Sequence, residues 1–197
     1  MLLRKLLYLE GFAMKRLILT VLLILVAMTA WALDWDWPLT DFTPSSGFGF
    51  RDDVTLGGGE LSVHLGVDLV PNIFAEKPKA DVQVKAIADG EVIIVFPPPG
   101  TIGYRKDGSK FVFSGHPIYG GMVAIKHWDS SAKMFVYSLY GHMKETWVRE
   151  GQAIKKGEAI GLVGSTGQST GPHLHFTLMY DPMQLLEKLM DKKKWIW

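Results

Sequence analysis

Two histidines near the end of the chain stand one residue apart, in the run Gly-Pro-His-Leu-His-Phe at residues 171–176. Side chains at positions i and i+2 of a β-strand point to the same face of the sheet, so a strand here would present His173 and His175 together. Two imidazoles on one face can bind a metal ion or act as acid and base. By itself the pair is weak evidence, because two solvated surface histidines would have the same spacing.

A second candidate pair, His64 and Asp68, lies in residues 61–70, where alternating Val and Leu predict a strand. On a straight strand the two side chains share a face but lie about 13 Å apart, too far to bind one ion. Gly66, which stands between them, allows the strand to bend or bulge. The pattern leaves open whether the pair meets at one site or lines a hydrated strand face.

Together these residues could form a catalytic zinc site, which commonly has three protein ligands and one open position. His64, Asp68 and either His173 or His175 would supply a set of two histidines and one carboxylate, with the other histidine close to a bound water. His142, at the end of a predicted strand, is a further acid/base candidate. The chain contains no cysteine, which argues against a closed structural zinc site and excludes disulfides and a thiol nucleophile.

Short strands must position these residues, because the 21 glycines, 10 prolines and numerous Val and Ile favour turns and strands over helices. The predicted strands are residues 61–70, two strands within 82–96 joined as a hairpin by an Asp-Gly turn at 88–90, and residues 122–127, 134–140, 158–163 and 173–179. Residues 182–191 have helical spacing. We therefore predict an all-β fold, an antiparallel sandwich or half-open barrel, and one short C-terminal helix.

Residues 1–32 have the features of a secretory signal peptide. Lys15 and Arg16 precede an apolar run at 17–27, and Ala-Trp-Ala at 30–32 matches the small-x-small cleavage pattern. The run is shorter than the about 20 residues that a membrane span needs, so we expect an exported protein with no stable span after processing. An uncleaved anchor is the alternative, and Met14 is an alternative start.

The remaining chain divides into an N-terminal extended segment, 33–45, and one domain, 46–197, with a long irregular insertion at 97–117. Loops of that length are usually functional, and we predict that this one walls the substrate groove. His116 within it is expected to be a surface histidine, and His127 to have a structural role. A formal net charge of +1 predicts no nucleic-acid partner.

Three ordered motifs of the chain resemble those of the lysostaphin-type, or β-lytic, zinc metallopeptidases: His-x-x-x-Asp, Tyr-x-His and His-x-His. They stand here as His64-Leu-Gly-Val-Asp68, Tyr140-Gly-His142 and His173-Leu-His175. The flanking residues 46–51, 84–92 and 164–171 also resemble the family. The resemblance extends over about residues 46–178, nearly the whole predicted domain.

The resemblance implies one zinc ion per chain, bound by His64, Asp68 and His175, with His142 and His173 as the catalytic pair. It implies an antiparallel sheet with the zinc on the floor of a groove. It also implies hydrolysis of peptide bonds in the stem or cross-links of bacterial peptidoglycan by an exported protein, periplasmic or extracellular, at the cell wall. We expect the protein to be a monomer. The alternative is a non-catalytic member of the same fold that binds cell wall or activates an amidase; the presence of all five residues favours the enzyme.

Overall fold

The computed structural model describes residues 34–52 and 61–180, so the predicted leader and C-terminal helix lie outside the described residues. A short 3₁₀ helix spans Asn72–Ala75. The described residues form fourteen strands: β1 Phe42–Ser46, β2 Gly49–Asp52, β3 Leu61–His64, β4 Val67–Pro71, β5 Gln83–Lys85, β6 Gly90–Phe96, β7 Ile102–Tyr104, β8 Lys110–Val112, β9 Gly121–Asp129, β10 Met134–Met143, β11 Glu145–Thr146, β12 Ala153–Ile154, β13 Ala159–Leu162 and β14 Leu174–Tyr180.

Seven strands form the main sheet, in the order β1-β4-β14-β10-β9-β6-β12. The order β11-β13-β5 forms a three-stranded sheet, while β2 with β3 and β7 with β8 form two-stranded sheets. The strand registers in this part of the chain are antiparallel, and the sheets do not close into a barrel. The predicted all-β antiparallel fold is therefore confirmed. The predicted strands at 122–127, 134–140, 158–163 and 173–179 correspond to β9, β10, β13 and β14.

The largest buried side chains include Tyr140 of β10 and Leu69 of β4, on the face of the main sheet opposite Asp68 and His175. Tyr140 Oη accepts a hydrogen bond from the backbone N–H of Ile87 at 3.1 Å, which joins the main sheet to the segment after β5. Burial raises the pKa of Tyr140 to about 12, against the opposing effect of its hydrogen bonds. The core on this face therefore supports the strands that carry the candidate site.

The predicted hairpin at 88–90 is wrong. β5 pairs with β13 and β6 pairs with β9, so the two strands belong to different sheets. Ala86, Ile87 and Ala88, which link them, are buried. Gly90 does not have the positive φ that a two-residue Asp-Gly hairpin requires. Burial of this apolar link between two sheets therefore outweighs the local turn signal.

The insertion at 97–117 is not irregular as predicted, because it contains the β7–β8 hairpin. Ile102 lies opposite Val112, and Tyr104 lies opposite Lys110. On the other face, a Cβ on Gly103 would collide with the ring of Phe111, so glycine there leaves room for the aromatic side chain. The sequence does not indicate these strands, because three residues are too few to show the alternation of apolar and polar side chains that identifies a strand.

The predicted strand at 61–70 is interrupted at its centre. β3 pairs with β2, whereas β4 joins the main sheet between β1 and β14. At the break, a Cβ on Gly66 would lie 2.6 Å from the carbonyl oxygen of Phe176 and 2.7 Å from His175 Nε2. Only glycine lets the backbone pass this close, and across the break His64 Nε2 lies 3.0 Å from Asp68 Oδ1.

Residues 42–46, which the sequence assigns mostly to an N-terminal extension, form β1 at the edge of the main sheet. The turn Asp129–Lys133 belongs to a different compact unit from residues 34–128 and 134–180. Within that turn, Asp129 Oδ1 accepts hydrogen bonds from the backbone N–H and hydroxyl of Ser131.

Among the described residues, no helix has the length and apolar character to cross a membrane.

Replacing Gly66 with alanine should destabilise the fold and disrupt the candidate site, because the added methyl group enters space occupied by Phe176 and His175. The overpacking should lower the free energy of unfolding by about 1–3 kcal/mol in urea titrations. Gly47→Ala is the matched control, since a Cβ at Gly47 meets nothing within 4 Å. Equal stability of the two variants would contradict the close approach at Gly66.

Candidate metal centre

Three buried side chains from neighbouring strands converge on one point. Asp68 of β4 and His175 of β14 are register partners, so they share a face of the main sheet, and His64 reaches them from the end of β3. His64 Nε2 lies 2.9 Å from His175 Nδ1 and 3.0 Å from Asp68 Oδ1, and His175 Nδ1 lies 3.1 Å from Asp68 Oδ1. The exposed fractions are 4%, 6% and 4% for His64, Asp68 and His175.

The outer nitrogen of each imidazole is held by an acceptor. His64 Nδ1 lies 2.7 Å from the carbonyl oxygen of Gly47, which can only accept, so Nδ1 carries the proton. His175 Nε2 lies 3.1 Å from Thr177 Oγ1, whose own proton is donated to the carbonyl of Leu65 at 2.7 Å, so this nitrogen also donates. In the neutral rings, His64 Nε2 and His175 Nδ1 therefore direct lone pairs at each other and at Asp68.

Two lone pairs and a carboxylate oxygen so close together require a positive charge among them. Burial by itself raises the pKa of Asp68, but hydrogen bonds and positive charge from His173, His175 and His64 outweigh burial and hold it well below its usual range. The charge can be a proton on an imidazole or a metal ion. Burial, with the charges of His64 and His173, lowers the pKa of His175 despite the opposing effect of Asp68, which disfavours the proton.

The donor set fits zinc. Imidazole nitrogen and carboxylate oxygen bind zinc at about 2.0–2.2 Å in tetrahedral geometry, so ligand atoms that share the ion lie about 3.3–3.6 Å apart. The three atoms here lie 2.9–3.1 Å apart, so a separation a few tenths of an ångström larger would admit the ion. Within the described part of the chain, His64, Asp68 and His175 also form a group of side chains whose ligand atoms are close enough together to hold one metal ion. The acceptors on the outer nitrogens orient the rings as the partners of metal-bound histidines usually do.

His173 lies beside this group, just before β14. Its Nδ1 donates to the carbonyl of Gly171 at 2.8 Å, and its Nε2 lies 3.4 Å from Asp68 Oδ1. Its backbone N–H donates to the carbonyl of Gly164 at 3.0 Å, which anchors the glycine-rich loop to the strand. His173 thus turns Nε2 toward the candidate metal ligands.

His142 approaches from the end of β10. Its ring centroid lies 4.7 Å from that of His173 and 5.9 Å from that of His175. Its Nδ1 donates to the carbonyl of Thr166 at 2.7 Å, which leaves Nε2 unprotonated in the neutral ring. Burial lowers the pKa of His142 to about 4, against the opposing hydrogen bond to Thr166, so the ring is neutral at neutral pH.

Residues 62–186 match the model of peptidase family M23. The matched segment is more than half of the chain and contains all five candidate residues. The chain belongs to peptidase family M23. The predicted resemblance to lysostaphin-type peptidases is confirmed, and lysostaphin itself is 30% identical over 72% of the chain.

Two further relatives are peptidoglycan enzymes by name. The chain is 37% identical to the Vibrio cholerae peptidoglycan DD-endopeptidase ShyA over 42% of this chain and 18% of that protein. It is 35% identical to the Neisseria meningitidis DD-carboxypeptidase/endopeptidase Mpg over 71% of this chain and 25% of that protein. The chain therefore corresponds to a quarter or less of their lengths. A zinc-containing peptidase from Vibrio cholerae has a similar structure, with a TM-score of 0.54 and 27% identity over 76% of this chain and 37% of that chain.

Tyr119 is a residue of this M23 site that the motifs did not indicate. Its ring lies 5.0 Å from His175 and 6.3 Å from His142, measured between ring centroids. Gly141, the register partner of His175 on β10, makes room for it, since a Cβ there would lie 3.2 Å from the Tyr119 ring. Tyr119 is distant in sequence from all five candidate residues, so no local pattern could have found it.

The two histidines outside this group are both buried. His116 is 7% exposed, and its ring stacks on that of Tyr119 with 5.1 Å between the ring centroids. Its Nδ1 accepts hydrogen bonds from the backbone N–H groups of Ile118 and Tyr119. The prediction of His116 as a surface histidine is therefore wrong. The loop folds back on itself at 116–120 and encloses the ring. His127 bonds to the carbonyl of Asp89 at 2.9 Å and to Ser138 Oγ at 2.7 Å.

The pH dependence of stability should reveal the burial of His116. Burial lowers its pKa from 6.5 to about 4, so between these values the unfolded chain binds a proton that the folded chain does not. The free energy of unfolding therefore falls as the pH falls through this window. His116→Asn retains an acceptor but does not titrate, so its stability should fall less between about pH 7 and pH 4.5 in urea titrations. Parallel curves for the two proteins would contradict the lowered pKa.

Proposed function

We propose that this chain is an exported zinc metalloendopeptidase that hydrolyses peptide bonds in the stem or cross-links of bacterial peptidoglycan. The observation that carries the proposal is the convergence of His64, Asp68 and His175 with lone pairs directed inward. Each chain would bind one zinc ion through these three residues. His142 and His173, whose rings lie beside them, would be the catalytic pair.

When bound, zinc supplies Lewis-acid chemistry, polarising a peptide carbonyl and making water nucleophilic near neutral pH. His142 is neutral, with Nδ1–H bound to Thr166, so its Nε2 can take a proton from the attacking water. His173, with Nδ1–H bound to Gly171, presents Nε2 in the same way. Once protonated, either ring can stabilise the developing oxyanion or return the proton to the leaving amine.

The names of the relatives support the substrate class. ShyA is named a peptidoglycan DD-endopeptidase and Mpg a DD-carboxypeptidase/endopeptidase, so a bond next to a D-amino acid is the first to test. The leader-like residues 1–32 support export, because peptidoglycan lies outside the cytoplasmic membrane. We further propose that the protein acts as a monomer, in the periplasm or at the cell wall.

Zinc content tests the ligand assignment. The purified protein should contain about one zinc ion per chain, and His64→Ala combined with His175→Ala should remove it, because one carboxylate alone binds zinc weakly. Elemental analysis after gel filtration measures the ratio. His116→Asn is the histidine control outside the group and should retain zinc. Full zinc occupancy in the double variant would place the metal elsewhere.

Activity measurements distinguish a residue that binds zinc from one that acts as an acid or base in catalysis. His173→Ala should retain zinc and lose activity by about 10²–10⁴, the usual effect of removing an acid/base group. His175→Ala should lose zinc and activity together. The assay digests purified peptidoglycan and identifies the released fragments by mass spectrometry.

The outcomes of this assay also distinguish the alternatives. Loss of zinc in His173→Ala but not in His175→Ala would reverse the two roles. A wild-type protein that holds zinc and binds peptidoglycan but releases no fragments would be the non-catalytic member of the fold.

A further inference from the structure

We propose that Thr166 is a positioning residue for His142, and that its side-chain hydroxyl keeps the imidazole in the orientation and tautomer that catalysis needs. The inference rests on the proposed function, since it concerns how the same site is held in place. Thr166 belongs to the glycine-rich loop before His173, in which the motifs assign it no role.

The backbone of His142 has an unusual conformation that needs outside support. Its φ is +61°, in the left-handed region that residues with a Cβ rarely adopt. Such conformations persist only where surrounding contacts impose them, and they cluster at functional sites. His142 is the next-to-last residue of β10, and its ring centroid lies 4.7 Å from that of His173. The contacts that impose the left-handed conformation therefore also decide where the imidazole lies.

Thr166 supplies contacts on two sides of His142. Its carbonyl accepts the Nδ1–H of the ring at 2.7 Å, and its backbone N–H donates to the carbonyl of His142 at 3.3 Å. The first bond selects the tautomer with Nδ1 protonated, because a carbonyl can only accept. The orientation of the Thr166 peptide therefore sets both the direction of the ring and the position of its proton.

The hydroxyl fixes that peptide in the fold. Thr166 Oγ1 donates to the carbonyl of Met143 at 2.8 Å and accepts the backbone N–H of Gly121 at 2.8 Å. One hydroxyl thus joins the end of β10 to the start of β9. Valine has nearly the same shape as threonine but can form neither bond, so it would leave both backbone groups without this partner.

The packing leaves little room for the loop to find another position. A Cβ on Gly120 would collide with Thr166, and a Cβ on Gly167 would collide with the backbone of Gly120. On the other side of His142, its backbone N–H donates to the carbonyl of Tyr119 at 2.7 Å. His142 is therefore held between residues 119–121 and residues 166–167, and the Thr166 hydroxyl is the side-chain group that joins the two.

The test compares Thr166→Val and Thr166→Ser in the full, zinc-loaded protein. Thr166→Val should lower kcat by about 10–100-fold, the effect expected of a catalytic group displaced by a fraction of an ångström to an ångström. KM and zinc content should remain unchanged. Thr166→Ser keeps the hydroxyl and should restore kcat to within about twofold of wild type. Thr43→Val is the matched control, because the exposed Thr43 hydroxyl donates to Asn72 Oδ1 at 2.7 Å on the edge strand β1, away from the loop around His142, and it should behave as wild type.

A spectroscopic readout makes the test independent of turnover. The ¹⁵N chemical shifts of the His142 imidazole should indicate the Nδ1–H tautomer in wild type and Thr166→Ser, and a mixture of tautomers in Thr166→Val. If the protein proves to have no peptidase activity, the proposed function fails, but this comparison still decides the role of Thr166.

Three results would overturn the proposal. They are wild-type kcat and tautomer in Thr166→Val, an equal loss in Thr166→Ser, and a loss of zinc that accounts for the lost activity. If Thr166→Val does not fold, Thr166→Ala takes its place, with the same expected kcat and tautomer and the same contradicting results.

Discussion

The arrangement on which the site depends is the meeting of three electron-rich atoms that cannot hydrogen-bond to one another while both imidazoles are neutral. His64 and His175 commit their outer N–H groups to Gly47 and Thr177, so in the neutral rings both inner nitrogens face Asp68 as acceptors. All three side chains are buried, where water cannot relieve the repulsion. A cation bound among them would offset this repulsion and stabilise the arrangement. The groups that orient the rings would thus also favour the binding of a positive charge.

The main sheet makes this meeting possible through register. Asp68 and His175 are direct partners on β4 and β14, and Gly141 occupies the next position of the same row on β10. Antiparallel register places partners on one face at short range, so two of the three atoms are brought together by strand pairing alone. The third requires the break at Gly66, because His64 could not otherwise reach the row. The absence of a side chain at Gly141 leaves the space that Tyr119 occupies against His175.

The residues proposed for catalysis are held in a different way from the ligands. His173 continues β14, so the strand and Gly171 position it. His142 lies past the regular part of β10 in a left-handed conformation, and loop backbone from two distant segments holds its ring. The positions of the proposed ligands therefore depend on sheet pairing, whereas the position of His142 depends on loop packing. Under the proposed function, changes in the loops around His142 would for this reason alter catalysis without altering metal binding.

The sequence by itself determined the all-β class, the candidate residues and the family, because these follow from local composition, strand periodicity and motif spacing. The position of Gly66 also allowed a bend between His64 and Asp68, although the pattern left open whether the pair meets at one site. From the residue pattern alone, either His173 or His175 could have completed the three-residue set. In the structure Nδ1 of His175 lies 2.9 Å from His64 Nε2 and 3.1 Å from Asp68 Oδ1, whereas Nε2 of His173 lies 3.4 Å from Asp68 Oδ1.

Only the tertiary structure decided which strands pair and which polar groups meet across long separations. The Asp-Gly turn at 88–90 failed as a hairpin signal because the apolar residues before it are buried between two sheets. His116 proved buried because the loop after the β7–β8 hairpin folds back over it. Tyr119 and Thr166 reach His142 across more than twenty residues of chain, and their contacts are made through backbone groups that every residue type possesses. Because such backbone contacts do not require a particular residue type, they cannot be predicted from the sequence.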